Sequence, residues 1–308
     1  MMRDAATSSP PRGAYPAAPG LSEQEFALLQ ALIREEAGIF LHPSKRELVL
    51  ARLGRRLREL GLQSFRQYYK QIVGGDEAER IRMLDCICTN ETHFFREPAH
   101  FEFLRRCVEE WTARASRGEM APRVRVWSAA CSTGEEPYSL AIALRKSFSD
   151  KSGWGVEILA TDLSTRALDL AGAAVFPIAK AAEIPLDDLK AFMLKGRGSQ
   201  EGKMKVSAGI RSMVQFRRLN LNDQAYPVTG LFDMIFCRNV LIYFDAITKA
   251  AVIRRLVRHL APHGYLFLGH SESVLGMADL VRSVGPTVYA HARGGLAMAR
   301  AGDARSRP

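Results

Sequence analysis

Two side chains stand where they could bind a ligand that carries hydroxyl and carboxylate groups. Asp162 comes immediately after an apolar run, and an acid at the end of a second strand is the expected acceptor for ribose hydroxyls. Because Asp162 and Ser164 both precede a predicted helix, an N-cap is the alternative role for Asp162. Arg96 lies in a short connector, from which its forked donor could reach a carboxylate in a crevice.

Such a ligand must be positioned by secondary structure, here a strand followed by a tight turn of small residues and a helix. The apolar run 124–128 suits a buried strand, and Glu-Glu-Pro at 135–137 suits the first turn of a helix. Gly134 is the only glycine among the three small turn positions, since Ala130 and Ser132 fill the others. A pyrophosphate would need the first two glycines, so the turn favours S-adenosylmethionine over NAD. An ordinary tight β–α turn is the alternative for this stretch alone.

Beyond residue 124 the pattern alternates strands and helices, which predicts an α/β fold with a parallel sheet. A final antiparallel pair after five strands favours the Rossmann-like sheet of S-adenosylmethionine-dependent methyltransferases. We predict core strands at 124–128, 156–161, 213–219, 232–237 and 265–268, a last pair near 280–283 and 287–291, and helices at 136–148, 164–173 and 246–260. Residues 176–215 interrupt the alternation and predict a small inserted β-subdomain with a glycine-rich hairpin loop.

The N-terminal part has helical signals only. Four possible caps are followed three residues later by Glu or Gln, and each precedes an amphipathic stretch; they are Ser22, Ser44, Ser64 and Asp76. This predicts a small all-α N-terminal domain. The full division is a disordered leader (1–20), the helical domain (21–88), a connector (89–98), the methyltransferase domain (99–292) with its β-subdomain (about 176–215), and a disordered tail (293–308).

Composition limits the class of protein. The 308 residues are 47% hydrophobic, enough for a large and a small domain. The five cysteines form no Cys-x-x-Cys pair, so reduced thiols are expected rather than a disulfide framework or a zinc or other metal site. Reduced thiols are typical of a cytoplasmic protein. No apolar run approaches the roughly 20 residues needed to span a bilayer, so no membrane insertion is expected.

The charge points to an acidic partner. The formal net charge is +10, and one predicted helix carries Arg52, Arg55 and Arg56 within little more than a turn. Such a face is either solvated or docks an acidic surface. Exposed aromatic residues for stacking nucleic-acid bases do not accompany it, so no nucleic-acid partner is expected.

Four segments, in order along the chain, resemble the chemotaxis-receptor glutamate methyltransferases of the CheR family. The resemblance runs from about residue 22 to residue 291. The segments are Thr-Asn-Glu-Thr-His-Phe-Phe-Arg-Glu (89–97), Trp-Ser-Ala-Ala-Cys-Ser-Thr-Gly-Glu-Glu-Pro-Tyr-Ser (127–139), Phe-Asp-Met-Ile-Phe-Cys-Arg-Asn-Val-Leu-Ile-Tyr-Phe (232–244) and Gly-His-Ser-Glu (269–272).

This resemblance implies S-adenosylmethionine as methyl donor, S-adenosylhomocysteine as product, and glutamate side chains of methyl-accepting chemotaxis receptors as acceptors. It implies a monomeric cytoplasmic enzyme that is recruited to membrane receptors. Arg96 and Tyr243 are the expected orienting residues of the catalytic site. The implied cofactor contacts are Asn90, Thr92, Arg96, Glu136, Asp162, Asn220, Leu221, Arg238 and Asn239.

The resemblance also suggests individual roles. Arg96 would pair with the methionyl carboxylate, Glu136 with its ammonium group and Asp162 with the ribose. Asn220 and Leu221 would frame the adenine. Tyr243 would orient the reactants or simply pack beneath the cofactor.

Two receptor contacts follow from the family as well. Its helical domain approaches the acidic methylation region, which would give Arg52, Arg55 and Arg56 a substrate-binding role. Some members dock a C-terminal receptor peptide on the β-subdomain, and Gly-Arg-Gly at 196–198 resembles their glycine loop, although this loop is lysine-rich.

Two other functions are compatible with a cofactor pocket of this kind. An RNA or DNA methyltransferase fits the charge, with Cys237 as a conceivable nucleophile, but Arg-Asn-Val at 238–240 replaces the Asn-Pro-Pro-Tyr motif of amine methylation. A non-catalytic S-adenosylmethionine-binding regulator would be indicated by loss of Arg96, Glu136 or Asp162, all of which are present.

Overall fold

The computed structural model describes residues 20–148, 153–274 and 276–292. The predicted tail and all but the last residue of the predicted leader lie outside this part of the chain. The described chain forms two compact units. The first comprises residues 20–31 and 42–87, and the second comprises residues 32–41 and everything described from residue 88 onward.

The N-terminal region is all-α, as predicted. Its helices are α1 (Glu23–Ala37), α2 (Arg46–Leu60), α3 (Phe65–Val73) and α4 (Glu77–Ile87). Ser22 and Glu25 form the predicted capping box, with the Glu25 N–H donating to Ser22 Oγ at 3.2 Å and the Ser22 N–H donating to Glu25 Oε2 at 3.0 Å. Ser64 caps α3 and Asp76 Oδ1 accepts from the Glu79 N–H.

The predicted cap at Ser44 is wrong. A 3₁₀ turn (Pro43–Lys45) precedes α2, and His42 caps that turn through its ring Nδ1, which accepts from the Ser44 N–H. The physical reason is Pro43, whose fixed backbone dihedral favours the first position of a helical turn and so moves the cap back to residue 42.

The second unit contains a seven-stranded sheet in the order β6-β2-β1-β7-β8-β10-β9. The five strands from β6 to β8 are parallel to one another, and the last two are antiparallel to their neighbours. The bounds are β1 (Arg123–Ala129), β2 (Gly155–Asp162), β6 (Val214–Arg218), β7 (Phe232–Cys237), β8 (Leu260–Leu268), β9 (Val281–Gly285) and β10 (Val288–His291). This is the predicted methyltransferase sheet with its final antiparallel pair.

Helices cover both faces of this sheet because alternate residues of its central strands point to opposite sides. Val126 of β1 packs in the layer of α5 (Pro98–Ser116) and α6 (Glu135–Ser147). Its neighbour Trp127 packs in the layer of α10 (Ala246–Arg258). Burial on both faces explains why the strands are near-continuous apolar runs. Between β2 and the subdomain lies α7 (Thr165–Ala173).

A second, three-stranded antiparallel sheet forms the inserted subdomain. It contains β3 (Val175–Pro177), β4 (Met193–Lys195) and β5 (Lys203–Val206) in the order β3-β5-β4. The predicted hairpin is the β4–β5 pair. A 3₁₀ segment (Ile178–Glu183), α8 (Leu186–Phe192) and the single turn α9 (Ala208–Arg211) complete this part of the chain.

Within residues 20–148, 153–274 and 276–292, no helix is both long enough and apolar enough to cross a bilayer.

Candidate functional site

The turn between β1 and α6 is held in a left-handed backbone conformation at three positions. The φ angles are 70° at Ala130, 50° at Ser132 and 99° at Gly134. The first two cost about 1–3 kcal/mol each for residues with a side chain, so surrounding contacts must enforce them. The N–H groups of Ala130 and Cys131 both donate to the Thr161 carbonyl at the end of β2. At Gly134 a Cβ would lie 2.9 Å from the Cβ of Ala171, so this position requires glycine.

Asp162 fixes the same turn from the end of β2. Its Oδ2 accepts from the Ser132 N–H at 2.8 Å, and its Oδ1 accepts from the Ser164 N–H at 2.9 Å. The N-cap of α7 is Ser164, whose Oγ accepts from the Ala167 N–H. The alternative role of Asp162 as the helix cap is therefore wrong. A carboxylate can accept about four hydrogen bonds, so bonds to the protein do not by themselves exclude ribose hydroxyls.

A buried arginine joins two acidic residues at the centre of the site. The side chain of Arg238 is 2% exposed, and its Nη1 lies 3.2 Å from Glu136 Oε2. Its Nε lies 3.3 Å from Glu97 Oε2, and its Nη2 donates to the Arg96 carbonyl. Glu136 Oε1 also accepts from the Ser128 hydroxyl at 2.7 Å. Arg238 thus holds Glu136 and the connector in fixed positions.

Burial and the neighbouring charges set the protonation of these acids. Burial raises the pKa of Glu136, although Arg238 and the Ser128 hydrogen bond oppose this effect. Burial acts in the same sense on Glu97, but Arg238 and the His270 N–H outweigh it, so the pKa of Glu97 lies below its usual value. Glu97 is therefore ionised at neutral pH, whereas the pKa of Glu136 lies above its usual value.

His100, on the first turn of α5, lies beside this cluster as a neutral ring. Its Nε2 is 2.9 Å from Thr287 Oγ1, and its Nδ1 is 3.3 Å from Glu97 Oε2 without hydrogen-bond geometry. Burial lowers the pKa of His100 from 6.5 to about 4; Arg238 adds to this and Glu97 opposes it.

We expect His100 to make the fold sensitive to mild acid. The unfolded chain takes up a proton near pH 6.5, whereas the folded protein does so only near pH 4, so the free energy of unfolding should fall as the pH falls between these values. The fall should be about 1–2 kcal/mol from pH 6.5 to pH 5. Urea unfolding of the wild type and His100→Gln measures it. An equal pH dependence in both proteins would contradict this assignment.

The connector presents Arg96 between two left-handed residues. The φ angles are 51° at Phe95 and 60° at Glu97. The Phe94 N–H donates to Glu183 Oε2 at 2.8 Å, and the Phe95 N–H donates to Ser139 Oγ at 2.9 Å. The Arg96 main chain is fixed by Arg238, while its partly exposed guanidinium makes no hydrogen bond or ion pair within the described chain.

Glu272 is a buried acid that shapes the loop after β7. It is 3% exposed, and its carboxylate accepts from the backbone N–H groups of Asn239 (3.0 Å), Leu241 (2.7 Å) and Gly269 (2.7 Å). These bonds hold Asn239 at a φ of 58°. A Cβ on Gly269 would lie 2.6 Å from the Asn239 side-chain nitrogen, so the amide packs directly on that glycine.

Two predicted cofactor contacts and the predicted orienting residue Tyr243 have partners within the second unit. Asn220 Nδ2 donates to the Glu36 carbonyl at 2.6 Å, and Leu221 is buried. The Tyr243 carbonyl accepts from the Phe40 N–H at 2.7 Å, and its side chain is partly exposed. These contacts fix the loops after β6 and β7, and the proposed roles at the adenine and the methyl group stay predictions.

The three arginines predicted to bind substrate differ in their surroundings. Arg56 is largely buried and pairs with Glu79 at 2.6 Å, and Glu79 also accepts from the Tyr68 hydroxyl. Arg52 donates to the Ile87 carbonyl. Arg55 is 80% exposed and pairs with Glu59 at 3.0 Å. Arg52 and Arg56 therefore have internal roles, and a docking role for the three stays a prediction.

The structure places several of the predicted residues in two hydrogen-bonded groups beside the β1–α6 turn. Ser132 links Asp162 to the Asn90 carbonyl, and Arg238 links Glu136 to the connector next to Arg96. Sequence reasoning missed four members: Glu97, His100, Lys180 and Glu272. Glu97 and Glu272 stand inside two of the segments that carried the family resemblance, which was the available signal. Lys180 had no such signal.

Comparison with known proteins agrees with this geometry. Residues 90–290 match the family model described as CheR methyltransferase, SAM binding domain, and residues 24–88 match CheR methyltransferase, all-alpha domain. Chemotaxis protein methyltransferase 2 of Pseudomonas aeruginosa is 40% identical over 271 residues, covering 88% of this chain and 94% of its own. The chemotaxis protein methyltransferase of Salmonella typhimurium is 39% identical over 272 residues, covering 88% and 91%.

Proposed function

Because the chain belongs to the CheR methyltransferase family, it is an S-adenosylmethionine-dependent methyltransferase, and we propose that its acceptors are glutamate side chains of chemotaxis receptors. Its relatives of 37–40% identity are named chemotaxis protein methyltransferases, which supports a receptor acceptor. The product would be a glutamate methyl ester. The observation that carries the proposal is the cluster in which Arg238 bonds Glu136 and the Arg96 main chain, with Asp162 at the end of the strand β2 that pairs with β1.

The residues of the site fit S-adenosylmethionine chemically. Arg96 offers a guanidinium that makes no hydrogen bond or ion pair within the described chain, which suits the methionyl carboxylate. Glu136, oriented by Arg238 and Ser128, suits the ammonium group. Asp162, held at the end of β2, suits ribose hydroxyls. When bound, the cofactor supplies an electrophilic methyl group on a sulfonium.

The chain itself then has to orient the reactants and exclude water. A glutamate has a pKa near 4.3, so the acceptor is already an anionic nucleophile at neutral pH and needs no general base. Alignment of the two reactants can lower the barrier by roughly 7–11 kcal/mol. We propose that Arg96 orients the donor and that Tyr243 orients the reactants at the transferred methyl group.

The two alternative functions find no support in the site. Cys237, the conceivable nucleophile of a nucleic-acid methyltransferase, is fully buried in the core layer of α10, and burial raises the pKa of its thiol. Both properties oppose nucleophilic attack. A non-catalytic regulator would not need the fixed Glu136–Arg238 pair beside Arg96 that this chain retains.

The finer assignments belong to the same proposal. Arg52, Arg55 and Arg56 would face the acidic methylation region, and Arg55 is the one whose charge can be reversed without breaking an internal contact to another helix. A receptor C-terminal peptide would add to the edge of the subdomain sheet. The enzyme would act as a cytoplasmic monomer at membrane receptors.

A methyl-transfer assay tests this function. Labelled methyl from S-adenosylmethionine should appear on receptors in isolated membranes and should be released by mild base, because it is held as an ester. Glu136→Gln should reduce the labelling, whereas Glu109→Gln, an exposed site on α5, should not. Base-stable label, or label on added nucleic acid instead, would overturn the proposal.

A further inference from the structure

The antiparallel subdomain contacts the connector at three points. The Lys180 ammonium donates to the Thr92 carbonyl at 2.8 Å, and Glu183 Oε2 accepts from the Phe94 N–H at 2.8 Å. Phe176 of β3 packs edge-to-face on Phe94, with ring centroids 4.9 Å apart. Two charged side chains and one ring from neighbouring positions of the subdomain therefore hold consecutive parts of the connector.

Lys180 also reaches the helix that carries Glu136. Its Nζ lies 2.5 Å from Oε1 of Glu135, the first residue of α6, which is 1% exposed. Glu135 Oε2 accepts from the Thr133 hydroxyl at 2.6 Å. A buried carboxylate needs a charged partner, so the Lys180 ammonium stabilises Glu135 by lying beside it. One ammonium group thereby ties the connector to the first turn of α6.

The contacts act on backbone groups of the connector. The Thr92 carbonyl and the Phe94 N–H lie between Asn90 and Arg96, which are proposed cofactor contacts. Phe94 is 3% exposed, and a buried N–H without an acceptor is costly. If the subdomain partners are lost, the connector has to find another conformation or leave these groups unsatisfied.

We propose that Lys180 and Glu183 are positioning residues through which the subdomain holds the connector in its cofactor-binding conformation. This inference rests on the proposed function, because it assumes that the connector binds S-adenosylmethionine. The subdomain then has a role in cofactor binding in addition to any contact with the receptor. Since coupling between sites is reciprocal, bound cofactor in turn stabilises the contact between connector and subdomain.

Matched variants separate this role from a general effect of the subdomain. Lys180→Met and Glu183→Met remove the two contacts. Lys190→Met and Glu201→Met make the same chemical changes at exposed subdomain positions, on α8 and in the β4–β5 loop. Lys180→Arg keeps a positively charged donor and serves as the rescue variant.

Two measurements are made on the full chain. Calorimetric titration with S-adenosylhomocysteine should give a Kd raised about tenfold or more in Lys180→Met and in Glu183→Met, and within about twofold of wild type in the other three variants. Hydrogen exchange of the free protein should be faster at residues 90–96 in the same two variants. This second readout needs neither cofactor nor receptor, and a merely structural role elsewhere in the subdomain would not change it.

The outcomes distinguish the two proposals. If wild type binds S-adenosylhomocysteine but the two variants match their controls in both Kd and exchange, the positioning role is wrong. If wild type fails to bind it at all, the proposed function is wrong. If Lys180→Met does not fold because Glu135 loses its partner, Glu183→Met alone decides.

Discussion

Replacing Arg238 with methionine is expected to lower the free energy of unfolding by about 3–5 kcal/mol. The change removes the buried cation between Glu97 and Glu136 and leaves two carboxylates without their partner. It also removes the donor to the Arg96 carbonyl, so binding of S-adenosylhomocysteine should be lost along with the stability. Equilibrium unfolding in urea and calorimetric titration measure the two effects.

The control for this variant is Arg105→Met, at an exposed arginine of α5 that pairs with Glu102 and Glu109. Exposed pairs contribute about 1 kcal/mol or less, so this protein should stay close to wild type. Adding Glu97→Gln and Glu136→Gln to Arg238→Met should recover part of the lost stability, because no buried charge then lacks a partner. A loss below about 1 kcal/mol in Arg238→Met would contradict the central role of this arginine.

Replacing Arg96 with methionine, unlike replacing Arg238, should weaken cofactor binding without lowering the free energy of unfolding. The Arg96 guanidinium makes no hydrogen bond or ion pair within the described chain, so the free energy of unfolding should change by less than about 0.5 kcal/mol. Loss of a forked contact to the methionyl carboxylate should weaken S-adenosylhomocysteine binding on the order of 100-fold. The kcat/KM of methyl transfer should fall at least as far.

A ligand without the carboxylate tests that assignment directly. 5′-Methylthioadenosine lacks the amino-acid end of the cofactor, so wild type and Arg96→Met should bind it equally well. Arg96→Lys keeps the positive charge but loses the forked pair of donors. Its affinity for S-adenosylhomocysteine should lie between that of wild type and that of Arg96→Met. Equal weakening for both ligands would mean that Arg96 shapes the pocket rather than binding the carboxylate.

The sequence predicted the strands well wherever they form unbroken apolar runs. The bounds of β7 were predicted residue for residue at 232–237, because a central parallel strand is buried on both faces. β8 begins at Leu260 rather than at the predicted residue 265. Pro262 and Gly264 interrupt the apolar pattern there, and a register shift in the pairing with β7 accommodates them.

The sequence could predict which residues lie at the shared edge of the sheet, but not which charged side chains pair there. Asp162 ends one parallel strand and Arg238 follows another, so a shared sheet edge places them near one another. The Glu97–Arg238 contact joins residues 141 positions apart, and nothing local in either segment specifies the partner of a charged side chain. For the arginines on α2, too, the sequence does not specify the partners. Helical spacing groups Arg52 with Arg56, but only the position of α4 decides that Arg56 pairs with the buried Glu79.

The order of the last strands affects how the chain can complete its fold during synthesis. β10 leaves the ribosome after β9 but lies between β8 and β9 in the sheet. Within the described chain, β9 has β10 as its strand partner and cannot join the sheet earlier. Until residue 291 has emerged, β8 is an open edge with unpaired backbone groups, which is a template for pairing with another chain. Released chains that end just before β10 should therefore depend on chaperones far more than released chains that are four residues longer.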